Sequence, residues 1–520
     1  KATDFLYYSP LPPSEDASQE EIVNGFINAG TGPQNDYSVA REYLTDDFKA
    51  TWNPSEEVII QERRVSLSFL TGNRAELKVI PQATIDKNGI FQLAESGSER
   101  NLDFQLVREN GQWRIASAPN ATVLIPPVFD VIFRSYSLYF YDRSFDNLVP
   151  DLRWFPTRAS IGTRIMTALL DGPVDWLKSG VVSAIPSGTR LSINAVRIEA
   201  GVASVDLTAR ALNANTRQRQ LLKSQIRATL TQLTSVSSVN IFIERSPQDI
   251  IDAPIPTRTR TTFNPFALTE EALYRVSNTT AAKLQSSEAI VAELKPTKFA
   301  VSQDESLVAF STERGVELAN LGGVAAEPRL VDTRTGLLTP HFDSFGYLWS
   351  IGTSPAASLL AIRNANESEI ASAQNWLSGV FRRDFAISPE GSRIIFSVES
   401  ANQTQIAVAV IRRDESGLPI EIGPPRFLQQ VEGDVVDITW GDETTVAALT
   451  RQVGQDPAPY LITLGGEQVR FAGLADAVEL AVANPNTQVY ARTGSGGVYH
   501  YRGVSWNLAF ENARALHFVN

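Results

Sequence analysis

DFAISPEGSRIIFSV, residues 384–398, reads as two short β-runs joined by a Ser-Pro-Glu-Gly turn. Proline and glycine punctuate the middle, and apolar residues rich in Ile and Phe fill both sides, the pattern of a strand–turn–strand unit. The same phrase recurs from near Phe299, Leu348, Phe385, Ile438 and Leu480. Starts roughly 35 to 55 residues apart point to a β-propeller, in which each repeat is one four-stranded blade. The chain ends in ALHFVN, 515–520, which matches only the first half of the phrase. The missing half is available upstream, in ALYRVS (272–277) and in the run Ala281 to Leu284, which have no opening phrase of their own. Five complete starts plus this split one predict a six-bladed ring over residues 264–520, closed by strands from both ends. Closure of that kind removes exposed sheet edges.

Upstream of the ring the composition is mixed α+β. The chain has 520 residues, too many for a single core, and three domains are expected. Residues 1–17 read as a tether stiffened by Pro10, Pro12 and Pro13, with Phe5, Leu6, Tyr7 and Tyr8 apolar enough to dock on the body. Residues 18–120 begin with a capping box, Ser18 and Glu21, and with Ile22, Val23, Phe26 and Ile27 at helical spacing. A second helix is predicted over Tyr37 to Leu44, with Asp46 and Asp47 at its end as solvated carboxylates. Strands are expected at Val65 to Leu70, Ala75 to Ile85, Ile90 to Ala94 and Leu102 to Val107, the last opening a hairpin on Asn110-Gly111. Helices followed by a curved antiparallel sheet ending in NGQWRI resemble the nuclear-transport-factor-2-like cone, a fold that implies an internal cavity.

Residues 121–246 form the next expected unit. VLIPPVFDVIF (123–133) leads into it, and Ser137 to Phe140 is its first strand. A helix over Arg158 to Leu170 ends at Gly172-Pro173, a hairpin turns at Ala200-Gly201, and an amphipathic helix covers Arg217 to Leu233. Leu222, Ile226, Leu230 and Leu233 mark its buried face. Arg217, Arg219, Lys223 and Arg227 lie largely on the other. Residues 247–263, followed by Pro265, read as an extended linker, with prolines at 247, 254 and 256 and with Arg258 and Arg260 available to an acidic surface.

LLDGP (169–173), AIPSGTRL (184–191), GVASVDLT (201–208) and TLTQLTSVSSVNIFIE (229–244) resemble a GerMN domain. The order of cone, GerMN domain and propeller is similar to that of the LpqB family of actinobacterial lipoproteins, over essentially the whole chain. That resemblance implies an exported protein, acylated on an N-terminal cysteine and held on the outer face of the plasma membrane. It also implies association with the extracytoplasmic part of the sensor kinase MtrB and modulation of the MtrA–MtrB two-component system, which affects cell-envelope and cell-division regulation. The lipidation cysteine is not in this sequence. Lys1 comes first and Met166 is the single methionine, so removal of an N-terminal piece is the expectation.

A formal charge of −12 opposes nucleic-acid binding, which needs a basic footprint. With no cysteine, disulfides, thiolate nucleophiles and Cys-based metal sites are excluded for these residues. No run approaches the length of a membrane span. The histidines are His341, His500 and His517. Strand contexts suit the last two to structural roles, whereas His341 is placed in a loop near Asp343. Gly494 to Gly497 lacks the Lys-Ser/Thr of a phosphate loop and reads as a hairpin turn. No catalytic, cofactor or metal residues are therefore assigned. Trp349 and Trp440 are expected in blade cores, inside the first strand of their repeats. Trp376, in AQNWLSG, is the better exposed. Trp376, His341, Arg219 and Lys223 stand as partner-contact candidates, for the kinase or alternatively for cell-wall peptidoglycan or glycolipid.

Overall fold

A computed structural model describes residues 10–157, 160–256, 264–277, 280–322, 327–364, 366–400, 403–428 and 431–519. Phe5, Leu6, Tyr7, Tyr8, Arg158, Arg258, Arg260 and Asn520 lie outside them. In the first region a helix spans Gln19–Ala29, with the Ser18–Glu21 capping box formed and Ile22, Val23, Phe26 and Ala29 buried. The helix expected over 37–44 is broken. Asn35, Asp36 and Tyr37 have positive φ (48°, 55° and 57°), and only a single turn, Ser38–Arg41, follows. A separate helix, Asp46–Thr51, starts from Thr45, whose hydroxyl accepts the Phe48 N–H. Asp46 and Asp47 thus open a helix, where the dipole favours carboxylates, and they stay exposed.

The first sheet has the order 112–117, 100–109, 74–86, 57–70 and 122–124, with Phe91–Leu93 added to the far half of Arg74–Asp86. Asn110 and Gly111 both have positive φ, as the predicted turn requires. The concave face is filled by Phe26, whose ring lies 5.0 Å from Trp52 and 6.2 Å from Phe104. The void left beside them is about 20 Å³, so the expected internal cavity is closed by packing.

In the second region Phe133–Asp142 pairs with Leu148–Pro156, a strand that its two prolines hid from pattern reading. Helices Ile161–Asp171 and Thr216–Leu230 cover this pair and the sheet in which Val202–Leu207 runs parallel to Ser238–Ile243. Leu138, Phe140, Ile165, Met166, Leu222, Ile226 and Leu230 share the core.

The C-terminal region is a succession of mainly antiparallel sheets, two of them joined where Asn366–Ser372 pairs parallel with Pro419–Ile422. Lys298–Val301, His341–Phe342, Phe381–Ile387, Asp434–Trp440, Ala477–Asn484 and Ala515–His517 lie side by side in that order, the last returning beside the first. Ala515–His517 pairs antiparallel with Phe266–Leu268, which pairs with Leu273–Val276 and, through it, with Ala281–Lys283. The two ends of the region thus meet in one sheet. One repeat begins a strand before Leu348. Its first strand is His341–Phe342, and Leu348–Ile351 is the second. A two-residue strand with a histidine in it lacks the aliphatic alternation of its siblings. Trp349 and Trp440 are fully buried, as expected, although Trp349 sits on that second strand.

The two upstream regions are docked on the ring. Val410, at the centre of a ring strand, joins the core of the second region. It fits between Gly180 and Gly423, where an added Cβ would come within 2.0 Å and 2.8 Å of its methyl groups. The Tyr139 hydroxyl donates to Glu443 Oε1 (2.7 Å) and Trp154 Nε1 donates to the Gly465 carbonyl (2.8 Å). Trp154 N–H also donates to the Gly89 carbonyl of the first sheet (2.8 Å), so one strand ties all three regions.

Candidate functional site

Where the first sheet faces the ring, Phe91–Leu93 and the turn after it oppose Arg426–Leu428, Val431–Gly433 and Ile462–Gly466 across a groove of about 1020 Å³. Its position follows from local sequence. GPPR at 423–426 cannot donate through its prolines, so the outer strand Arg426–Phe427 is only two residues long and leaves space beside it. The walls are mixed: Leu93, Phe427, Leu428, Val431 and Leu464 supply apolar surface, and Gln92, Glu95, Ser96, Glu432 and Thr463 supply polar groups. Arg426 is drawn inward, its guanidinium 5.9 Å from the centre of the Trp176 ring.

The second concentration of chemistry lies along the ring axis. Asp384 accepts from the Ile438 N–H (3.2 Å), Asp437 from the Leu480 N–H (2.5 Å), and Glu479 from the Leu516 N–H (3.1 Å). Each carboxylate immediately precedes a core residue of its own strand and reaches the equivalent residue of the next sheet. Lys298, from the strand after the closure, bonds Glu479 Oε1 at 2.7 Å, and Arg492 bonds its other oxygen at 2.6 Å. Burial raises the Asp437 carboxyl well above the ordinary carboxylate range, and the Asp384 and Glu479 charges push it further. Burial also raises Asp384, whose carboxyl shares a hydrogen bond with that of Asp437. Although burial opposes its charge, Lys298 is held above its usual range by Glu479 and Asp437. These groups form inter-sheet latches. The described residues contain no group of three or more His, Asp or Glu arranged to hold a metal ion.

Residues 12–130 match the model for the N-terminal domain of lipoprotein LpqB, and 271–514 match that for the lipoprotein LpqB beta-propeller domain. The chain belongs to the LpqB lipoprotein family. Between those matches, residues 137–249 fit the Germane model, described as sporulation and spore germination. The lipoprotein LpqB of Cutibacterium acnes is 23% identical over 525 residues, covering 92% of this chain and 86% of its own. That of Streptomyces avermitilis is 24% identical, covering 85% of this chain and 80% of its own. Likenesses to solved structures are partial. The tandem GerMN domains of GerM from Bacillus subtilis are 19% identical over 28% of this chain and 58% of that one, with a TM-score of 0.20. TolB from Acinetobacter baumannii is 14% identical over 58% and 71%, with a TM-score of 0.36. Scores this low add no step to the reading.

In this LpqB-family chain the four contact candidates read from the sequence are scattered, and internal bonds occupy them. Trp376 is half-buried, its Nε1 donating to the Gly423 carbonyl (3.0 Å) and its ring set edge-on to Phe396 (5.8 Å). His341 opens a strand and packs against Phe385 (4.9 Å) and His517 (6.0 Å), where burial and then the neighbouring imidazole lower its pKa to about 3. Asp343 does not serve it. That carboxylate bonds the Trp349 indole (2.8 Å), two backbone N–H groups and Arg413 (2.6 Å). Lys223 bonds Asp252 (2.8 Å) and the Ile250 carbonyl (2.8 Å), and Arg227 bonds Asp252 (2.9 Å) and the Ala253 carbonyl (2.8 Å). Arg219 caps the backbone at Ala214 (2.9 Å). The first part of the expected linker is therefore held on this helix by Lys223, one of the partner-contact candidates, and by Arg227. Sequence reasoning missed the axial carboxylates, although DFAI, DITW and ELAV carry them at one position of the aligned repeats. The groove had no sequence signal, because it forms between regions distant in the chain.

Proposed function

We propose that this chain is the extracytoplasmic, non-enzymatic body of a lipid-anchored protein on the outer face of the plasma membrane, and that it binds and modulates the sensor kinase MtrB of the MtrA–MtrB system. Its fold is a nuclear-transport-factor-2-like cone over 18–120, a GerMN domain over 121–246 and, after the linker 247–263, a six-bladed ring over 264–520. The observation behind the reading is membership of the LpqB family across both ends of the chain, with the regions docked on one another as a platform. No described helix is long and apolar enough to cross a membrane. The groups that offered chemistry are spent on structure: His341 in packing, Asp343 on the Trp349 indole and Arg413. Recognition of peptidoglycan or glycolipid has less support, since the cone interior is filled and Trp376 is docked.

Calorimetry with the purified extracytoplasmic domain of the kinase tests this. A saturable heat with both proteins folded is expected; its absence counts decisively against the reading.

A further inference from the structure

The groove is bordered by a strand edge whose pairing stops part-way. In the hairpin ladder Asp86 N–H donates to the Ile90 carbonyl (3.2 Å) and Ala94 N–H to the Gln82 carbonyl (2.9 Å). With Thr84 opposite Gln92, the even-numbered residues turn their backbone groups toward Arg74–Asp86, and the odd-numbered ones turn theirs away. Gly89 uses its outward carbonyl, which accepts the Trp154 N–H. Phe91 and Leu93 point the same way, line the groove, and have no backbone partner on that side among the described residues. On the opposite wall Leu428 N–H donates to the Ile406 carbonyl (2.8 Å), which leaves the backbone of Phe427 facing outward and its ring 49% exposed. Two carboxylates stand on the rim. Glu95 is exposed, the neutral Gln452 amide donates to Glu432 (3.1 Å), and neither carboxylate is in an ion pair among the described residues. The lining cation, Arg426, is turned onto Trp176.

We propose that this groove takes an extended, lysine- or arginine-bearing segment of a partner protein, added as a strand to the edge of Phe91–Leu93. An unpaired edge is a ready template for another chain, and main-chain bonds supply affinity while the walls select side chains. The added strand continues the pairing that Trp154 begins at Gly89, and its basic residues meet Glu95 and Glu432. The proposal rests on the reading that the chain binds a protein partner.

Amide hydrogen exchange on the whole chain tests it, with two probes: the purified kinase sensor domain, and a decapeptide of alternating lysine and threonine set against one of glutamate and threonine. Slowed exchange at Phe91 and Leu93 is expected with the sensor domain and with the basic peptide, and none with the acidic one. The double variant Glu95→Lys/Glu432→Lys should bind about tenfold more weakly, or worse, with unchanged melting. Leu93→Pro removes one outward N–H without touching the ladder and should weaken binding as well. Equal binding of the sensor domain to wild type and variants, with no protection over 90–94, overturns the groove and leaves the kinase reading intact. If the sensor domain does not bind at all, that reading fails by itself, and the basic peptide alone decides the groove: no protection sinks it.

Discussion

At Trp154 the ring packs 5.6 Å from Phe91 and 5.1 Å from Phe129, while its indole nitrogen crosses to Gly465 of the ring. The packing and the bond can be separated. Trp154→Phe keeps an aromatic ring and loses the donor, for a cost of about 1 kcal/mol. Trp154→Ala loses both, for about 3 kcal/mol or more. Denaturant unfolding of the two variants should show that order; equal stability of Trp154→Phe and wild type would remove the bond from the account. The same scale shows how far side-chain roles are legible. Helical periodicity placed Lys223 and Arg227 correctly, away from Leu222 and Ile226. It could not show that Asp252 returns to them, because a contact between a helix and a later segment leaves no local pattern. Trp376 shows the same limit: it is better exposed than Trp349 and Trp440, as its loop suggested, but a polar setting in sequence says nothing about the Gly423 carbonyl that receives the indole N–H.

Among elements, the axial latches make stability depend on pH in a direction that can be worked out. Asp437 keeps its proton more tightly when folded, since burial and then the Asp384 and Glu479 charges raise it, with Lys298 acting the other way. A carboxyl raised on folding contributes fully below its unfolded value, near 3.9, and the contribution is lost as pH rises through the folded one. His341 and His517 act oppositely. Burial lowers them to about 3 and about 4, so their contribution is lost as pH falls below the unfolded value, near 6.5. Asp437→Asn isolates the first effect, because an amide still accepts from Leu480 and can donate to Asp384. Its melting temperature should match wild type near pH 4 and exceed it increasingly toward pH 8. Curves that stay parallel would show that no proton is held there.

The closing strand gives a second test at this scale. Leu516, Phe518 and Val519 are almost fully buried, each worth about 1.5–3 kcal/mol of burial. Deleting residues 516–520 should lower the melting temperature markedly; an unchanged melt would mean that the strand does not hold the ring. That Ala515–His517 shares a sheet with Leu273–Val276 and Ala281–Lys283 was legible because repeats constrain one another, whereas its direct partner, Phe266–Leu268, was not. Nor was the strand at His341, because two residues are too few to show a period.

For the whole molecule, the docking of the regions left no mark in the period of the repeats or in the helix caps. Among its determinants are two glycines and a valine from distant stretches. Gly180 and Gly423 have no side chains to keep Val410 out, and Val410 carries the ring's surface into the GerMN core. Gly180→Leu should therefore push the regions apart, since a Cβ alone meets the valine methyl at 2.0 Å, and overpacking of this kind costs about 1–3 kcal/mol. The variant should show a larger radius of gyration in small-angle scattering, with each region still folded by circular dichroism. Gly180→Leu/Val410→Ala, which reopens the space, should return the radius toward wild type. If the single variant scatters like wild type, the valine is not what seats the ring on the GerMN domain. If it expands and also loses affinity for a kinase sensor domain that binds wild type, the platform itself, and not one region alone, is what the partner meets.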